Sequence, residues 1–140
     1  MIKKAISLLA ITAFVMTVSC KKDGATPENG GVAMMKFNET EHDFGEINAG
    51  DKVETFFTFE NTGVKDLVIV NAVGSCGCTV PEYPKTPIKP GEEGKIKVSF
   101  NSTGKTGHQL KTVSIMANTK KGTEVITIKA SIKEKQGIGA

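Results

Sequence analysis

The stretch VETFFTFE, residues 53–60, decides the fold class of this 140-residue chain. Its polar and apolar side chains alternate, and every second one shares a face: Val53, Thr55, Phe57 and Phe59. Both glutamates of the stretch lie on the other face, where Phe56 is the exception. A period of two residues is the pattern of a β-strand that is buried on one side. The stretch therefore predicts a strand at the surface of an apolar core.

The same pattern recurs along most of the chain. Alternation predicts two further half-buried strands, whose inward residues are Ile96, Val98 and Phe100 in one and Ile126, Ile128, Ala130 and Ile132 in the other. Residues 110–117 predict a strand with Val113 and Ile115 directed inward. Residues 67–73 are apolar on both faces, which predicts a central strand covered on each side. Shorter strands are predicted at 35–37 and 44–47.

Turn signals separate these strands. They are Asn-Ala-Gly-Asp at 48–51, Asn-Thr-Gly at 61–63, Lys-Pro-Gly at 89–91 and Lys-Lys-Gly at 120–122. No stretch of this region keeps a helical period. About seven short strands in roughly a hundred residues are typical of an immunoglobulin-like antiparallel β-sandwich. We therefore predict an all-β domain of this kind over residues 34–135.

The first twenty residues predict export. Two lysines precede the uncharged run 5–18, which as a helix would cover about 21 Å, less than the roughly 30 Å hydrocarbon core of a bilayer. A basic start and a short apolar run before a small residue are typical of a signal peptide, here residues 1–19. Cys20 follows directly, and this resembles a bacterial lipoprotein signal, in which the cysteine becomes the first mature residue and carries the lipid.

The segment after the cysteine predicts a tether. Residues 21–31, KKDGATPENGG, have no hydrophobic period and several glycine and proline breaks, so residues 20–33 are predicted to be a flexible linker. The tail 136–140 is predicted to be disordered. Removal of residues 1–19 takes two lysines from the formal charge of +3 and leaves +1. The predicted partner is therefore the membrane, through the lipid, on the periplasmic face or the cell surface of the outer membrane.

Composition excludes several classes of function. All eighteen basic residues are lysine, and arginine, whose fork reads phosphate and guanine, is absent, which argues against nucleic-acid binding. No serine lies in a Gly-x-Ser-x-Gly elbow. Glu92 and Glu93 are adjacent, and adjacent strand positions point to opposite faces, unlike the paired carboxylates of a glycosidase. We predict that the protein is not an enzyme and has no cofactor.

Five short motifs occur in a fixed order. They are HDFGEI at 42–47, FENTG at 59–63, SCGCT at 75–79, IKPG at 88–91 and IKVSF at 96–100. As an ordered set they resemble the bacterial family of unknown function numbered 1573, which is similar to the sperm-protein and centrosome/cilium immunoglobulin-like domains. The resemblance covers residues 35–132. It implies a seven-stranded sandwich and frequent export, and it implies no settled activity.

The Cys76-Gly77-Cys78 segment allows three interpretations. The thiols could form a disulfide, for which the residues must fold into a tight turn, because extended Cα atoms two residues apart lie near the limit of about 6.8 Å. They could be ligands for Cu(I) or Zn(II), completed by His108 or Met116. They could also be small side chains beside the core. Small exported domains favour the disulfide.

Two hypotheses about function follow from these features. The first is a non-catalytic, lipid-anchored module of the cell envelope that binds an envelope protein or a glycan through its sheet edges or loops. The alternative is a periplasmic protein that handles metal or exchanges thiols at Cys76 and Cys78. Neither predicts a particular oligomeric state.

Overall fold

The computed structural model describes residues 31–134, and every helix or strand element in this range is a β-strand. The all-β prediction is confirmed. Within this range no helix is long and apolar enough to cross a bilayer. The predicted signal peptide, Cys20, the linker as far as residue 30 and the predicted tail 136–140 lie outside the described residues.

Eight strands follow one another along the described chain. They are β1 Met35–Phe37, β2 Glu41–Asn48, β3 Lys52–Asn61, β4 Ile69–Gly74, β5 Thr79–Glu82, β6 Glu93–Asn101, β7 Gly107–Ala117 and β8 Thr123–Lys133. Seven of the eight strands contain residues that the hydrophobic pattern predicted to form strands. The bounds of β2 extend beyond the predicted 44–47, and β5 was not predicted.

The strands form two four-stranded sheets that enclose one apolar core. One sheet has the order β1-β3-β6-β5 and the other the order β2-β8-β7-β4. In an immunoglobulin sandwich the first, second, fifth and fourth strands share a sheet, and the third, sixth and seventh form the other. The same order results here when β1 and β2 are two halves of the first strand. The predicted immunoglobulin-like sandwich is therefore confirmed.

Strand β2 departs from a purely antiparallel sheet. After β1 the chain crosses to the other sheet and continues in the same direction, so β2 runs parallel to β8. Its register shifts between Asp43 and Glu46. Gly45 lies within the shift at a φ of 67°, in the left-handed region that favours glycine. The glycine of the HDFG stretch thus permits an irregular edge strand.

The core is built from the residues that the alternation selected. Phe57, Phe59, Ile96 and Val98 are completely buried, and Phe100 is almost so. From the facing sheet, β7 and β8 bury these residues: Val113, Ile115, Ile126, Ile128, Ala130 and Ile132. The exceptional Phe56 points to solvent with 57% of its surface exposed. The prediction of which side chains face inward on β3, β6, β7 and β8 is confirmed.

The prediction of a central strand at 67–73 is wrong. Residues from Ile69 onward form β4, which lies at the edge of its sheet, and Val70 and Val73 are more than half exposed. Leu67 and Ile69 enter the core. Apolar residues on both faces indicated burial on both sides, but here the second face is an exposed surface of the domain.

The side-chain amide of one buried residue connects several segments at one end of the sandwich by hydrogen bonds. Asn61, at the end of β3, is completely buried. Its Nδ2 donates to the carbonyls of Lys65 at 2.8 Å and Ile88 at 2.9 Å, and its Oδ1 accepts the amides of Gly63 at 3.0 Å and Met34 at 3.3 Å. The amide group therefore uses all four of its usual hydrogen bonds. One side chain joins the approach to β1, the turn after β3 and the segment before β6.

Replacing Asn61 by alanine should destabilise the domain by about 3 kcal/mol, because buried backbone groups lose their partners. Asn118 provides a matched control. Its amide also makes two strong contacts, accepting from the Val68 amide at 2.8 Å and donating to the Asp66 carbonyl at 2.9 Å, but it is exposed.

Urea unfolding followed by circular dichroism measures both changes. Water can replace the lost bonds at the exposed site, so Asn118→Ala should cost less than about 1 kcal/mol. Equal losses of stability in the two variants would contradict the role of the buried amide.

Candidate functional site

The Cys76-Gly77-Cys78 segment forms the crossing between the two sheets. It links the end of β4 to the start of β5, and backbone hydrogen bonds hold both sides of it. The Ser75 amide donates to the Thr112 carbonyl on β7 at 2.8 Å, and the Asn101 amide on β6 donates to the Cys78 carbonyl at 2.9 Å. The crossing is therefore fastened to one strand of each sheet.

The structure joins Cys76 and Cys78 in a disulfide. The amide of Thr79 donates to the Cys76 carbonyl at 3.1 Å, which closes a tight turn and brings the two Cα atoms to 5.3 Å. That separation lies within the range that disulfides accept. The Thr79 hydroxyl lies 3.7 Å from one sulfur and 3.9 Å from the other. Both cysteines are half-buried, and Gly77 is exposed.

The other proposed metal ligands lie elsewhere on the sheet. The disulfide crossing begins next to Gly74, which pairs with Val113 on β7. His108 lies five residues before Val113, so it is roughly 16 Å along β7 from the crossing. Met116 pairs with Asn71 on the opposite side of that position. Among residues 31–134 no group of three or more His, Cys, Asp or Glu side chains could hold a metal ion. The described residues thus give no support to the metal-handling alternative.

His108 instead lines a shallow groove on the outside of the second sheet. The groove has a volume of about 200 Å³ and is lined by Asp43, His108, Gln109, Leu110, Lys129, Ala130 and Ser131. His108 Nδ1 lies 2.8 Å from Ser131 Oγ, and Lys129 Nζ donates to Glu41 Oε1 at 2.6 Å. Alternation along β8 already places Lys129 and Ser131 outward. Their contact with β2 depends on the parallel pairing of β2 with β8, which no local sequence pattern indicates.

Beside the groove lies an apolar surface, called here the outer face. It consists of four exposed side chains on β4, β7 and β8: Val73, Leu110, Met116 and Val125. Val73 and Val125 flank Ser114 in one cross-strand row, and Leu110 pairs with Lys129 at the groove. Met116 lies two residues from Ser114 on the same side of β7, whereas Leu110 lies four residues from Ser114 in the other direction. Exposed apolar side chains rimmed by polar ones mark interaction sites. The hydrophobic pattern does not predict this surface, because it places residues 67–73, Val73 among them, in the interior.

On the β4 and β5 edges of the sandwich, several backbone groups already have partners or cannot donate a hydrogen bond. On β4 the Ala72 amide donates to Asn71 Oδ1 at 2.9 Å, and the Val70 carbonyl accepts from the Tyr83 hydroxyl at 3.1 Å. A Cβ on Gly74 would overlap the backbone of Thr79, so the end of β4 packs against the start of β5. On β5, Pro81 has no amide hydrogen to offer an added strand. These features favour binding by the face over binding by these edges.

The outside of the other sheet carries charged residues together with the exposed Phe56 and Val80. Lys97 lies between Glu54 at 3.2 Å and Glu82 at 3.6 Å. Hydrogen bonds from Lys97 and then from Ser99 lower the pKa of Glu54, and the Glu54 carboxylate raises the pKa of Lys97. Exposed pairs of this kind add little stability. Through these ion pairs, charged side chains of this surface neutralise one another without another protein.

Comparison with known proteins gives one family and a set of structural neighbours. The family model described as "Protein of unknown function (DUF1573)" matches residues 35–132. No curated protein matches the sequence. Among solved structures, a protein of unknown function from Porphyromonas gingivalis W83 is 20% identical with a TM-score of 0.60, and the match covers 72% of this chain and 46% of that one.

Two further neighbours have different names and the same fold. The ASH / PapD-like domain 7 of human CEP192 is 10% identical with a TM-score of 0.57, covering 93% of this chain and all of that domain. The secreted serine protease VesC from Vibrio cholerae is 16% identical with a TM-score of 0.55, covering 70% of this chain and 23% of the protease. This chain thus spans less than half of the P. gingivalis protein and of VesC. At these identities the likeness concerns the fold alone.

Reduction of the disulfide should leave the domain folded. The loop that the bond closes runs only from Cys76 to Cys78, and for three residues the loop-entropy estimate is about 1.6 kcal/mol. Urea unfolding with and without dithiothreitol should therefore show a small shift of the midpoint and an unchanged slope.

The double variant Cys76→Ser/Cys78→Ser is the control for this measurement. It should unfold near the midpoint of the reduced protein and should not respond to dithiothreitol. A reduced protein that lacks a cooperative transition would show that the crossing depends on the covalent bond.

Proposed function

The chain belongs to the DUF1573 family of proteins of unknown function, as its motifs predict, and we propose that it is a non-catalytic, lipid-anchored binding module of the cell envelope. The observation that carries the proposal is the outer face. Four exposed apolar side chains lie on that side of the second sheet, Leu110 beside a groove with charged groups and the other three farther along β7, while two backbone groups of the adjacent β4 edge already have hydrogen-bond partners. The face binds another envelope protein.

The composition of the face favours a protein over a glycan. Val73, Leu110, Met116 and Val125 are aliphatic or thioether side chains, and the exposed Phe56 lies on the opposite sheet. Sugar-binding surfaces rely on flat aromatic rings with polar rims, whereas clustered aliphatic residues beside charges suit a protein interface. Lys129, paired with Glu41 at the groove, adds a charged rim that can select among partners.

The groove supports recognition better than catalysis. Ser131 and His108 are in hydrogen-bond contact, which is the first half of a nucleophile and base arrangement. A base of this kind needs a third group that orients it. The nearby carboxylate, Asp43, accepts the Gly45 amide at 2.8 Å, and in the described residues the side-chain partner of His108 is Ser131 alone. Polar groups arranged in this way can bind the rim of a partner.

The anchor in this proposal is the lipid on Cys20. Removal of residues 1–19 would leave the cysteine at the new N-terminus, with residues 21–31 between it and the domain. Those eleven residues reach at most about 40 Å when extended, which holds the sandwich beside the membrane. In this position the domain is confined to the envelope, where its partner is expected.

Mass spectrometry of the N-terminal peptide tests the anchor. The mature protein purified from membranes should begin at Cys20 and carry a mass the size of a diacylglycerol group. Cys20→Ser should abolish the modification and release the protein from the membrane fraction. An unmodified N-terminus at another residue would contradict lipidation.

Photo-crosslinking in intact cells tests the face. Leu110 and Phe56 are matched positions, with 59% and 57% of their surfaces exposed on opposite sides of the sandwich. A photoreactive phenylalanine analogue at Leu110 should give a discrete adduct with one partner, and the same analogue at Phe56 should give none. Val73→Glu, placed on the same face, should reduce the adduct at least about tenfold, because a charge would be buried against apolar groups.

The identity of the crosslinked partner at each position tests whether the outer face is one binding site. The same partner from Val125 as from Leu110 would support a single site on the outer face. No adduct at either position, or equal adducts at Leu110 and Phe56, would contradict binding by this face. Melting temperatures of all variants exclude unfolding as the cause.

A further inference from the structure

The end of the sandwich where the chain enters is built from three segments, called here the tether end. They are the entering residues 32–34, the turn 62–68 after β3 and the tip of the β7–β8 hairpin, residues 118–121. The Val64 amide donates to the Val32 carbonyl at 3.1 Å, and Ala33 forms an isolated parallel bridge with Thr119. The three segments are therefore continuous with one another.

Apolar side chains are concentrated at this end. Val32, Met34, Val64 and Val68 are all exposed, Met34 and Val64 by more than half. They come from two of the three segments, and the Asn118 amide donates to the Val68 carbonyl at 3.1 Å, which adds the hairpin tip to the same surface. The outer face ends next to this patch, because Met116 is two residues before Asn118 in the chain.

Lysines surround the patch. Lys121 donates to Glu124 at 2.8 Å, whereas the ion pairs of residues 31–134 include neither Lys65 nor Lys120. Asp66 is the acidic residue of the turn beside Lys65. In the neighbouring loop, two lysines and two glutamates balance: Lys85, Lys89, Glu92 and Glu93. The end thus combines exposed apolar groups with a small excess of positive charge.

We propose that the tether end rests on an anionic phospholipid surface, so that the domain stands upright on the membrane. The inference deepens the proposed function, since it rests on lipid at Cys20. Apolar side chains that enter the headgroup region and lysines that meet anionic lipids are the two elements of a peripheral membrane contact.

The tether explains why a weak contact is sufficient. For the linker that the sequence predicts over the eleven residues between Cys20 and Val32, a mean end-to-end distance of roughly 18 Å is expected, which would keep the tether end within reach of the bilayer. Tethering raises the effective concentration to the millimolar range. The opposite end of the sandwich, with the 101–107 loop, lies about the length of β7 away, roughly 36 Å for eleven residues.

The experiment uses the mature, lipidated protein in vesicles that contain about a third anionic phospholipid, a composition that attracts juxtamembrane lysines. A single fluorophore is attached at Thr62→Cys on the tether end or at Thr103→Cys on the opposite end, two exposed threonines. Brominated lipids, which quench only within the bilayer, should quench position 62 at least about threefold more strongly than position 103.

Two double variants test whether the lysines of the tether end cause the difference in quenching. Lys65→Ala/Lys120→Ala should remove most of the difference in quenching, because each lysine near an anionic surface contributes roughly a fivefold factor in binding. The matched variant Lys105→Ala/Lys111→Ala, away from the tether end, should leave it unchanged. Vesicles of zwitterionic lipid alone should reduce the quenching at position 62.

Equal quenching at positions 62 and 103 in anionic vesicles would overturn the proposal. That result is distinguishable from failure of the anchor. A protein without lipid on Cys20 would not float with the vesicles and would take up a second fluorophore at the free thiol. If the tether end binds a protein instead, pure lipid vesicles will show no preference for position 62.

Discussion

The hydrogen bonds of the buried Asn61 amide are the constraint on which one whole end of the sandwich depends. They lie where the FENTG and IKPG motifs meet: Asn61 Nδ2 donates to the Ile88 carbonyl, and the Gly91 amide donates to the Asn61 carbonyl at 2.8 Å. Gly63 must be small, because a Cβ there would overlap the backbone of Val32 and Met34. Two motifs that are far apart in sequence are thus parts of one polar cluster. Such clusters specify a unique arrangement when every member is satisfied, and no buried side-chain nitrogen or oxygen among the described residues lacks a partner.

This end also determines which surface of the domain is open to a neighbouring protein. The entering chain bridges the β1 side to the tip of the β7–β8 hairpin, so the start of the domain is fixed to both sheets. The disulfide crossing lies beside Thr112, near the middle of β7, and at the far end of β6, where it links β4 to β5. Between these ends, the outer face is left open on the side. A domain held at one end can therefore offer a lateral surface to a neighbour without strain on its core.

Much of the core followed from alternation alone. Phe57, Phe59, Ile96 and Ile126 were predicted to face inward and are completely buried. The same reasoning failed for β4, because a run of apolar residues indicates burial on two sides and gives no information about position in the sheet. Val70 and Val73 carry an exposed surface instead. β5 escaped prediction because Thr79–Glu82 is short and contains a proline.

Local patterns in the sequence predicted seven of the eight strands, the sandwich class and the family, because side-chain period, turn residues and ordered motifs are local properties of the chain. It narrowed the Cys76-Gly77-Cys78 segment to three interpretations, since two thiols flanking a glycine can pair only if the backbone turns. The tertiary structure decided which side chains share a surface. Leu110 and Lys129 are neighbours through the β7–β8 register, Lys129 and Asp43 through the parallel β2–β8 pairing, and Val64 and Val32 through a contact between two ends of strands. These are contacts between distant segments, which depend on register and on the meeting of two sheets, and no local pattern contains them.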